Sequence, residues 1–208
     1  MFYRLCRWIC HIFLRLFYRL EIKGAENLPS KGGAVIVANH ANFFDPVIIG
    51  CCFKRKVHFM AKEELFRIPL LGTLIRFLGA YPIRRGAADK TAFATSFRLL
   101  EAGRVIALFP EGTRFKDGKL HPLRPGAAVL ALRGTYPLIP VMIKNSNLVK
   151  LFRFPKISVD VGPPFSVPLD LTVGSEKEKV RRAIAYIQGR MAALWETGPP
   201  DATFSGQS

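Results

Sequence analysis

Short apolar runs alternate with segments whose apolar residues recur every three or four positions along most of this chain. The runs predict buried strands, and the periodic segments predict amphipathic helices. The predicted strands cover residues 32–39, 57–62, 79–85, 104–110, 136–143 and 156–162. The predicted helices cover residues 45–54, 89–103, 125–134 and 175–196. This alternation is typical of an α/β fold in which helices flank one mostly parallel mixed sheet.

Two segments with helical features contain an internal proline. The helix over 45–54 is predicted to begin with Asp45 as its N-cap, because Pro46 then occupies the first turn. In the segment 65–83 the apolar residues keep helical spacing, although Pro69 and Gly72 interrupt it. This pattern predicts a core helix, or else a wall of a channel for an alkyl chain.

The first twenty residues separate basic from apolar side chains when they are placed on a helix. The basic residues recur every three or four positions: Arg4, Arg7, His11, Arg15 and Arg19. Arginines at this frequency disfavour a spanning helix, and an uninterrupted apolar signal-peptide region is absent. We therefore expect an amphipathic helix that lies on a membrane surface. The alternative is an amphipathic helix docked on the core of the protein.

The length of 208 residues suits one domain with a short appendage. We expect residues 1–20 to form the membrane-association helix and residues 21–197 to form the main domain. Residues 198–208 are rich in small and polar residues and are expected to form a flexible tail.

Charge narrows the range of partners. The chain has 31 Lys and Arg against 15 Asp and Glu, a formal net charge of +16. Such a chain is attracted to nucleic acid, to anionic lipid surfaces or to phosphorylated substrates, and composition does not choose among them. The four cysteines match no common zinc spacing and are expected to be free thiols in a reducing compartment.

His40 and Asp45 directly follow the strand over 32–39. A neutral imidazole can accept a proton from a hydroxyl, and a carboxylate on its other ring nitrogen orients it. A tight turn could bring the two side chains together. Because no G-x-S-x-G elbow supplies a nucleophile, such a base would activate the acceptor substrate itself. The alternative is that Asp45 only caps a helix.

The segment "FPEGTR" follows the strand over 104–110. Gly112 allows a turn whose amides can face an anion, and Thr113 and Arg114 add donors suited to phosphate oxygens. Glu111 could hold an arginine or contact a substrate hydroxyl. Arg84 and Arg85, at the end of "GAYPIRR", could supply a second phosphate clamp.

Four blocks in this order resemble the 1-acyl-sn-glycerol-3-phosphate acyltransferases, the lysophosphatidic acid acyltransferases of bacterial phospholipid synthesis. They are an H-x4-D block at His40–Asp45, a G-x-x-x-I-x-R block at Gly79–Arg85, "FPEGTR" at Phe109–Arg114, and a strand around Pro140. The resemblance covers roughly residues 20 to 190.

The resemblance implies a role for each matched position. His40 would be the general base for the sn-2 hydroxyl of lysophosphatidic acid, and Asp45 would orient it. The glycerol phosphate site would consist of Arg85, Glu111, Gly112, Thr113 and Arg114. Pro140 would shape the acyl pocket. The donor would be acyl-CoA or acyl-carrier protein, the product phosphatidic acid, and neither metal nor cofactor would be needed.

The implied location is the cytoplasmic face of the cell membrane, with peripheral or monotopic attachment to an anionic surface. Two other functions stay open at this point. One is a related acyltransferase that acts on glycerol 3-phosphate or another lyso-lipid. The other is a non-catalytic basic protein on a membrane; nucleic acid is not expected as a partner, because the aromatic residues concentrate in the first twenty positions and the predicted core.

Overall fold

The structure is a computed structural model that describes residues 1–84, 89–150 and 153–199. The strands are β1 (Glu21–Lys23), β2 (Ala34–Ala38), β3 (Val57–Lys62), β4 (Tyr81–Ile83), β5 (Val105–Leu108), β6 (Leu138–Lys144) and β7 (Ser158–Val161). The helices are α1 (Phe2–Tyr18), α2 (Asp45–Cys52), α3 (Leu71–Leu78), α4 (Lys90–Glu101), α5 (Gly126–Arg133) and α6 (Glu176–Thr197). Short 3₁₀ turns cover Ala25–Asn27, Glu63–Arg67, Ser146–Leu148 and Leu169–Thr172.

The strands form one mixed sheet in the order β1-β7-β6-β2-β5-β3-β4. The pairs among β6, β2, β5, β3 and β4 are parallel, whereas β7 is antiparallel to β6 and β1 is parallel to β7. The two strands at one end of the sheet, β1 and β7, therefore run against the other five. The predicted fold class is confirmed. The strand β1 was not predicted, because three residues carry too little of an alternating pattern.

Helices cover both faces of the sheet, and each face has its own core. Ile36 and Ala38 of β2 pack on the side of α1 and α2. Val35 and Val37 point to the side of α4, α5 and α6. Because β2 is buried on both sides, it appears in the sequence as a continuous apolar run instead of an alternating one.

Helix α1 confirms the predicted N-terminal helix, and its two sides have opposite surroundings. Leu14 and Tyr18 are buried against the body, and the Tyr3 hydroxyl accepts a hydrogen bond from Val57 N at 3.3 Å. The opposite side exposes large apolar side chains to the surroundings: Phe2, Leu5, Trp8, Ile9, Ile12, Phe13, Leu16 and Phe17. Among the described residues, no helix combines the length and apolar character needed to cross a bilayer.

The segment 65–83 is not the core helix that its periodicity predicts. The 3₁₀ turn ends at Arg67, Pro69 interrupts the backbone, and α3 begins only at Leu71. Within α3 only Gly72 is buried, whereas Ile68, Leu74 and Phe77 are exposed. The prediction was wrong because periodicity reports an apolar face without identifying what that face contacts.

Candidate active site

The loops that follow β2 and β5 meet at the carboxyl edge of the sheet. These strands are neighbours and parallel, with Val37 paired to Leu108, so the residues after both strands lie side by side. The loop after β2 carries His40, and the loop after β5 carries Glu111. A backbone hydrogen bond of 2.9 Å from Phe115 N to His40 O ties the two loops together.

His40 and Asp45 are in direct contact, as the turn between them predicted. Asp45 Oδ2 lies 2.8 Å from His40 Nδ1. The same oxygen accepts hydrogen bonds from Ala41 N and Asn42 N, each at 2.7 Å. Asp45 is buried, and His40 is 9% exposed. The carboxylate thus holds one ring nitrogen and leaves Nε2 without a hydrogen-bond partner among the described residues.

Asp45 is not the N-cap of α2, contrary to the prediction. Phe44 occupies the cap position, makes no side-chain cap bond, and Asp45 is the first helical residue. Its carboxylate points back into the preceding turn because three donors there, two backbone amides and an imidazole nitrogen, compete successfully for it. The Asp45 carboxylate therefore stabilises the turn that carries the His40 imidazole.

Phe109 forms one wall for the imidazole and was not named from the sequence as a site residue. Its ring stacks on His40 with centroids 4.0 Å apart and an interplanar angle of 17°. Phe59 of β3 lies parallel to Phe109 at 6.5 Å on the same side of the sheet. The position of Phe109, one residue beyond β5 at the carboxyl edge, was the signal that could have identified it.

Glu111 does not point its carboxylate toward an open site. The side chain is 2% exposed, Oε2 accepts a hydrogen bond from His40 N at 2.8 Å, and Oε1 accepts one from His121 N at 3.0 Å. Burial raises the pKa of this carboxyl, although the two backbone donors act in the opposite direction. Both carboxylate oxygens therefore accept hydrogen bonds from the backbone, and one of these backbone groups belongs to His40, the candidate base.

Gly112 makes a close approach between two loop segments possible. Its φ is +73°, and a Cβ there would lie 2.4 Å from Cδ of Arg124. Arg124 was not identified from the sequence as a site residue. Its backbone N–H donates a hydrogen bond to Pro110 O at 2.7 Å. Thr113 and Arg114 follow Gly112 and are exposed. The loop thus places a guanidinium stem against the glycine and leaves a hydroxyl and a second guanidinium accessible.

The predicted second clamp is described only in part, because Arg85 lies outside the described residues. Arg84 is exposed, and its N donates to Asp89 Oδ2 at 2.8 Å. Asp89 Oδ1 also caps α4 by accepting from Thr91 N and Ala92 N, each at 3.1 Å. One carboxylate therefore fixes both the end of β4 and the start of α4.

Two asparagines anchor the turn that carries His40. The Asn39 side chain exchanges two hydrogen bonds with the backbone of Ile143, at 2.9 and 2.7 Å. Asn42 Nδ2 donates to Ser146 O at 2.9 Å. The turn is thereby fastened to the end of β6, in addition to its contact with the loop after β5.

Pro140 lies in the middle of β6, paired with Val37. Its ring packs near Gly162 and Leu194, on the α6 side of the sheet, because a Cβ on Gly162 would lie 2.8 Å from Pro140 Cγ and 3.2 Å from a Leu194 methyl carbon. Phe109, which stacks on His40, packs on the opposite side. The acyl-pocket role of Pro140 stays a prediction.

Comparison with known proteins identifies the family to which this chain belongs. A model of the acyltransferase family matches residues 19–144. The chain belongs to the acyltransferase family. It is an O-acyltransferase, and the resemblance inferred from the four sequence blocks is confirmed.

Individual relatives agree with this assignment. The chain is 30% identical over 164 residues to a 1-acyl-sn-glycerol-3-phosphate acyltransferase of Bacillus subtilis, covering 78% of this chain and 81% of that protein. It is 30% identical over 131 residues to the protein of the same name from Borreliella burgdorferi, covering 62% of this chain and 52% of the relative. A chloroplastic acyltransferase of that name from Brassica napus is 31% identical over 136 residues, covering 64% of this chain and 39% of that protein. The chain thus spans about half or less of two of these relatives.

A solved structure has the same fold. The crystal structure of the 1-acyl-sn-glycerophosphate (LPA) acyltransferase PlsC from Thermotoga maritima has a TM-score of 0.65 and 23% identity, covering 91% of this chain and 81% of that one. The acyltransferase fold of this chain, including the flanked mixed sheet, is therefore confirmed.

Proposed function

We propose that this acyltransferase transfers an acyl chain from a thioester donor to the sn-2 hydroxyl of 1-acyl-glycerol 3-phosphate, giving phosphatidic acid. The observation that carries the proposal is the contact of 2.8 Å between His40 Nδ1 and Asp45 Oδ2. It supports a role for His40 Nε2 as the general base. The names of the relatives support lysophosphatidic acid as the acceptor.

The proposed reaction needs no acyl-enzyme. Nε2 of His40 takes the proton of the hydroxyl as its oxygen attacks the thioester carbonyl carbon. The tetrahedral intermediate then collapses, the C–S bond breaks, and the imidazolium returns the proton to the leaving thiolate. Burial raises the pKa of the Cys51 thiol to about 12, which argues against this cysteine as a competing nucleophile.

The phosphate of the acceptor is proposed to bind beside the loop after β5. Arg114 and Thr113 are exposed there, and Arg124 adds a third basic or polar group against Gly112. A guanidinium can bind phosphate oxygens through two parallel hydrogen bonds. Arg85 is proposed for the same role from its sequence block alone. Glu111 is better explained as a support for the loop, since both its oxygens accept backbone hydrogen bonds.

The acyl donor is acyl-CoA or acyl-carrier protein, and neither a metal nor a cofactor takes part in the proposed steps. The protein is proposed to act at the cytoplasmic face of the membrane, with α1 in contact with anionic lipid. The exposed apolar side of α1 supports this, because an amphipathic helix binds a membrane surface through such a side. The net charge of +16 suits the same surface and a phosphorylated substrate.

One assay tests the function directly. Purified protein is given lysophosphatidate, and in a parallel reaction glycerol 3-phosphate, with each donor in turn, and the lipid products are resolved by mass. We expect phosphatidate from the wild type and at least about a 100-fold loss in His40→Ala, in line with removal of a general base. Circular dichroism checks that the variant is folded. Full turnover by folded His40→Ala would eliminate His40 as the base. Acylation of glycerol 3-phosphate but not of lysophosphatidate would show that glycerol 3-phosphate is the acceptor.

A further inference from the structure

The turn before α3 holds a leucine in a backbone conformation that leucine rarely adopts. Leu70 has φ +62° and ψ −50°, and Leu71 N donates to Pro69 O at 2.7 Å across it. These values are those of a classic γ-turn, which is rare and strained. Gly72 N donates to Ile68 O at 2.8 Å, so further backbone bonding holds the strained turn in place.

The strained turn directs an apolar side chain into the surroundings. Leu70 is 87% exposed, and Ile68, Leu74 and Phe77 next to it are exposed as well. A glycine at position 70 would adopt this φ without strain but would present no side chain. Strain of this kind persists where the conformation has a use, and here the visible result is the outward leucine.

This apolar patch is continuous with the exposed side of α1. The rings of Phe77 and Phe2 lie 6.1 Å apart in an edge-to-face arrangement. From Ile68 to Phe77 the segment contains Arg76 and neither Asp nor Glu, and Arg67 just before it is paired with Glu63 at 3.1 Å. An apolar surface with a basic residue at its border complements a bilayer with anionic headgroups.

We propose that the segment Ile68–Phe77, with Leu70 at its tip, is a second membrane-contact element that inserts into the acyl region of a phospholipid bilayer beside α1. The proposal rests on the proposed contact of α1 with lipid. An alkyl-channel role for Leu70 is disfavoured, because a side chain that is 87% exposed does not line an enclosed channel. Two contact elements fix the orientation of the body on the membrane, whereas a single helix leaves it free to roll about the helix axis.

The test separates strain, membrane contact and catalysis. Leu70→Gly and Leu70→Asp are compared with Leu169→Asp, a matched leucine that is 84% exposed beside α6, on the other side of the sheet. Leu16→Asp tests α1 separately. Binding is measured by sedimentation with vesicles of phosphatidylglycerol and phosphatidylcholine. Turnover is measured with vesicle-borne lysophosphatidate and with a short-chain lysophosphatidate that stays monomeric.

We expect Leu70→Gly to unfold at an equal or higher temperature than the wild type, because the strain is relieved. Its vesicle affinity should fall by about tenfold, the factor that corresponds to one leucine withdrawn from an apolar phase, and Leu70→Asp should lose more. Turnover of the vesicle-borne substrate should fall in parallel, and turnover of the monomeric substrate should not change. Leu169→Asp should behave as the wild type.

Three results would overturn the proposal. If both Leu70 variants bind vesicles as tightly as the wild type and Leu16→Asp binds more weakly, α1 contacts the membrane and the segment Ile68–Phe77 does not. A loss of monomeric-substrate turnover in Leu70→Gly would assign the residue to the substrate site. A dimer that Leu70→Asp splits, seen by size-exclusion chromatography, would identify a second copy of the chain as the occupant. Unchanged affinity in Leu16→Asp as well would refute the proposed α1 contact, which is a separate failure.

Discussion

The substitution Glu111→Gln distinguishes a backbone support from a substrate ligand. In the wild type, the two carboxylate oxygens accept hydrogen bonds from His40 N and His121 N. A glutamine of the same shape supplies one oxygen and one NH₂ group, so one buried N–H faces another donor. The change therefore removes one hydrogen bond to a charged group, about 1.5–3 kcal/mol in a buried setting.

For a domain of this size, 1 kcal/mol corresponds to about 2–4 °C, so we expect the unfolding temperature to fall by roughly 3–12 °C. The backbone of His40 also loses one of its anchors, and a small misplacement of the proposed base should lower kcat by about 10- to 100-fold. The KM for lysophosphatidate should change little. Glu101→Gln at the exposed end of α4 is the control, with wild-type behaviour expected.

The pH dependence gives an independent check. Burial raises the pKa of the Glu111 carboxyl above the ordinary value of 4.5, so the folded state holds this proton more tightly than the unfolded chain does. The stability that this group contributes is greatest below that value and declines as the pH rises through the raised pKa. The difference in unfolding free energy between the wild type and Glu111→Gln, measured in urea, should narrow with rising pH. A raised KM with an unchanged unfolding temperature would refute this reasoning and return Glu111 to the substrate site.

Three further predictions follow from the site and its supports. Asp45→Asn keeps an oxygen for the turn but removes the charge beside His40, so kcat should fall by about 10²- to 10⁴-fold with little change in KM; a wild-type kcat would contradict the orienting role. Arg114→Ala should raise the KM for lysophosphatidate by about tenfold or more, whereas Arg133→Ala at the end of α5 should not, and equal effects would argue against the clamp. Asp89→Ala should cost about 1–2 kcal/mol of stability at neutral pH, as a lost cap does. The backbone N–H of Arg84 first, then that of Ala92, hold the pKa of Asp89 below its ordinary 3.8, so this deficit should vanish as the pH falls through that lowered pKa; a deficit that persists in acid would point to lost packing.

The sequence predicted the features that depend on local pattern. The strand β2 was identified because burial on both faces makes every residue from Ala34 to Ala38 apolar. The contact between His40 and Asp45 was expected because a short turn separates them. The end of α4 was expected at Gly103, whose φ of +67° follows the last turn.

What the sequence did not reveal depends on distant partners. The strand β1 forms because Ile22 pairs with Val159, which is far along the chain. The use of Glu111 depends on the position of His121 N in the folded loop. The outward side of α3 could not be distinguished from a core face, since both have the same spacing. Local pattern therefore predicts elements and short-range contacts, and long-range pairing decides how residues are used.

The edge pair of β1 and β7 has a consequence for the order of assembly. Glu21 N donates to Ile157 O, and Ile157 N donates to Tyr18 O, so one anchor at the end of α1 is made by a segment more than 130 residues further along the chain, in addition to the packing of α1 on α2. Until the ribosome has added that segment, α1 lacks this anchor. Given the proposed contact of α1 with lipid, a nascent chain stalled near residue 150 should already partition onto vesicles, before the sheet is complete.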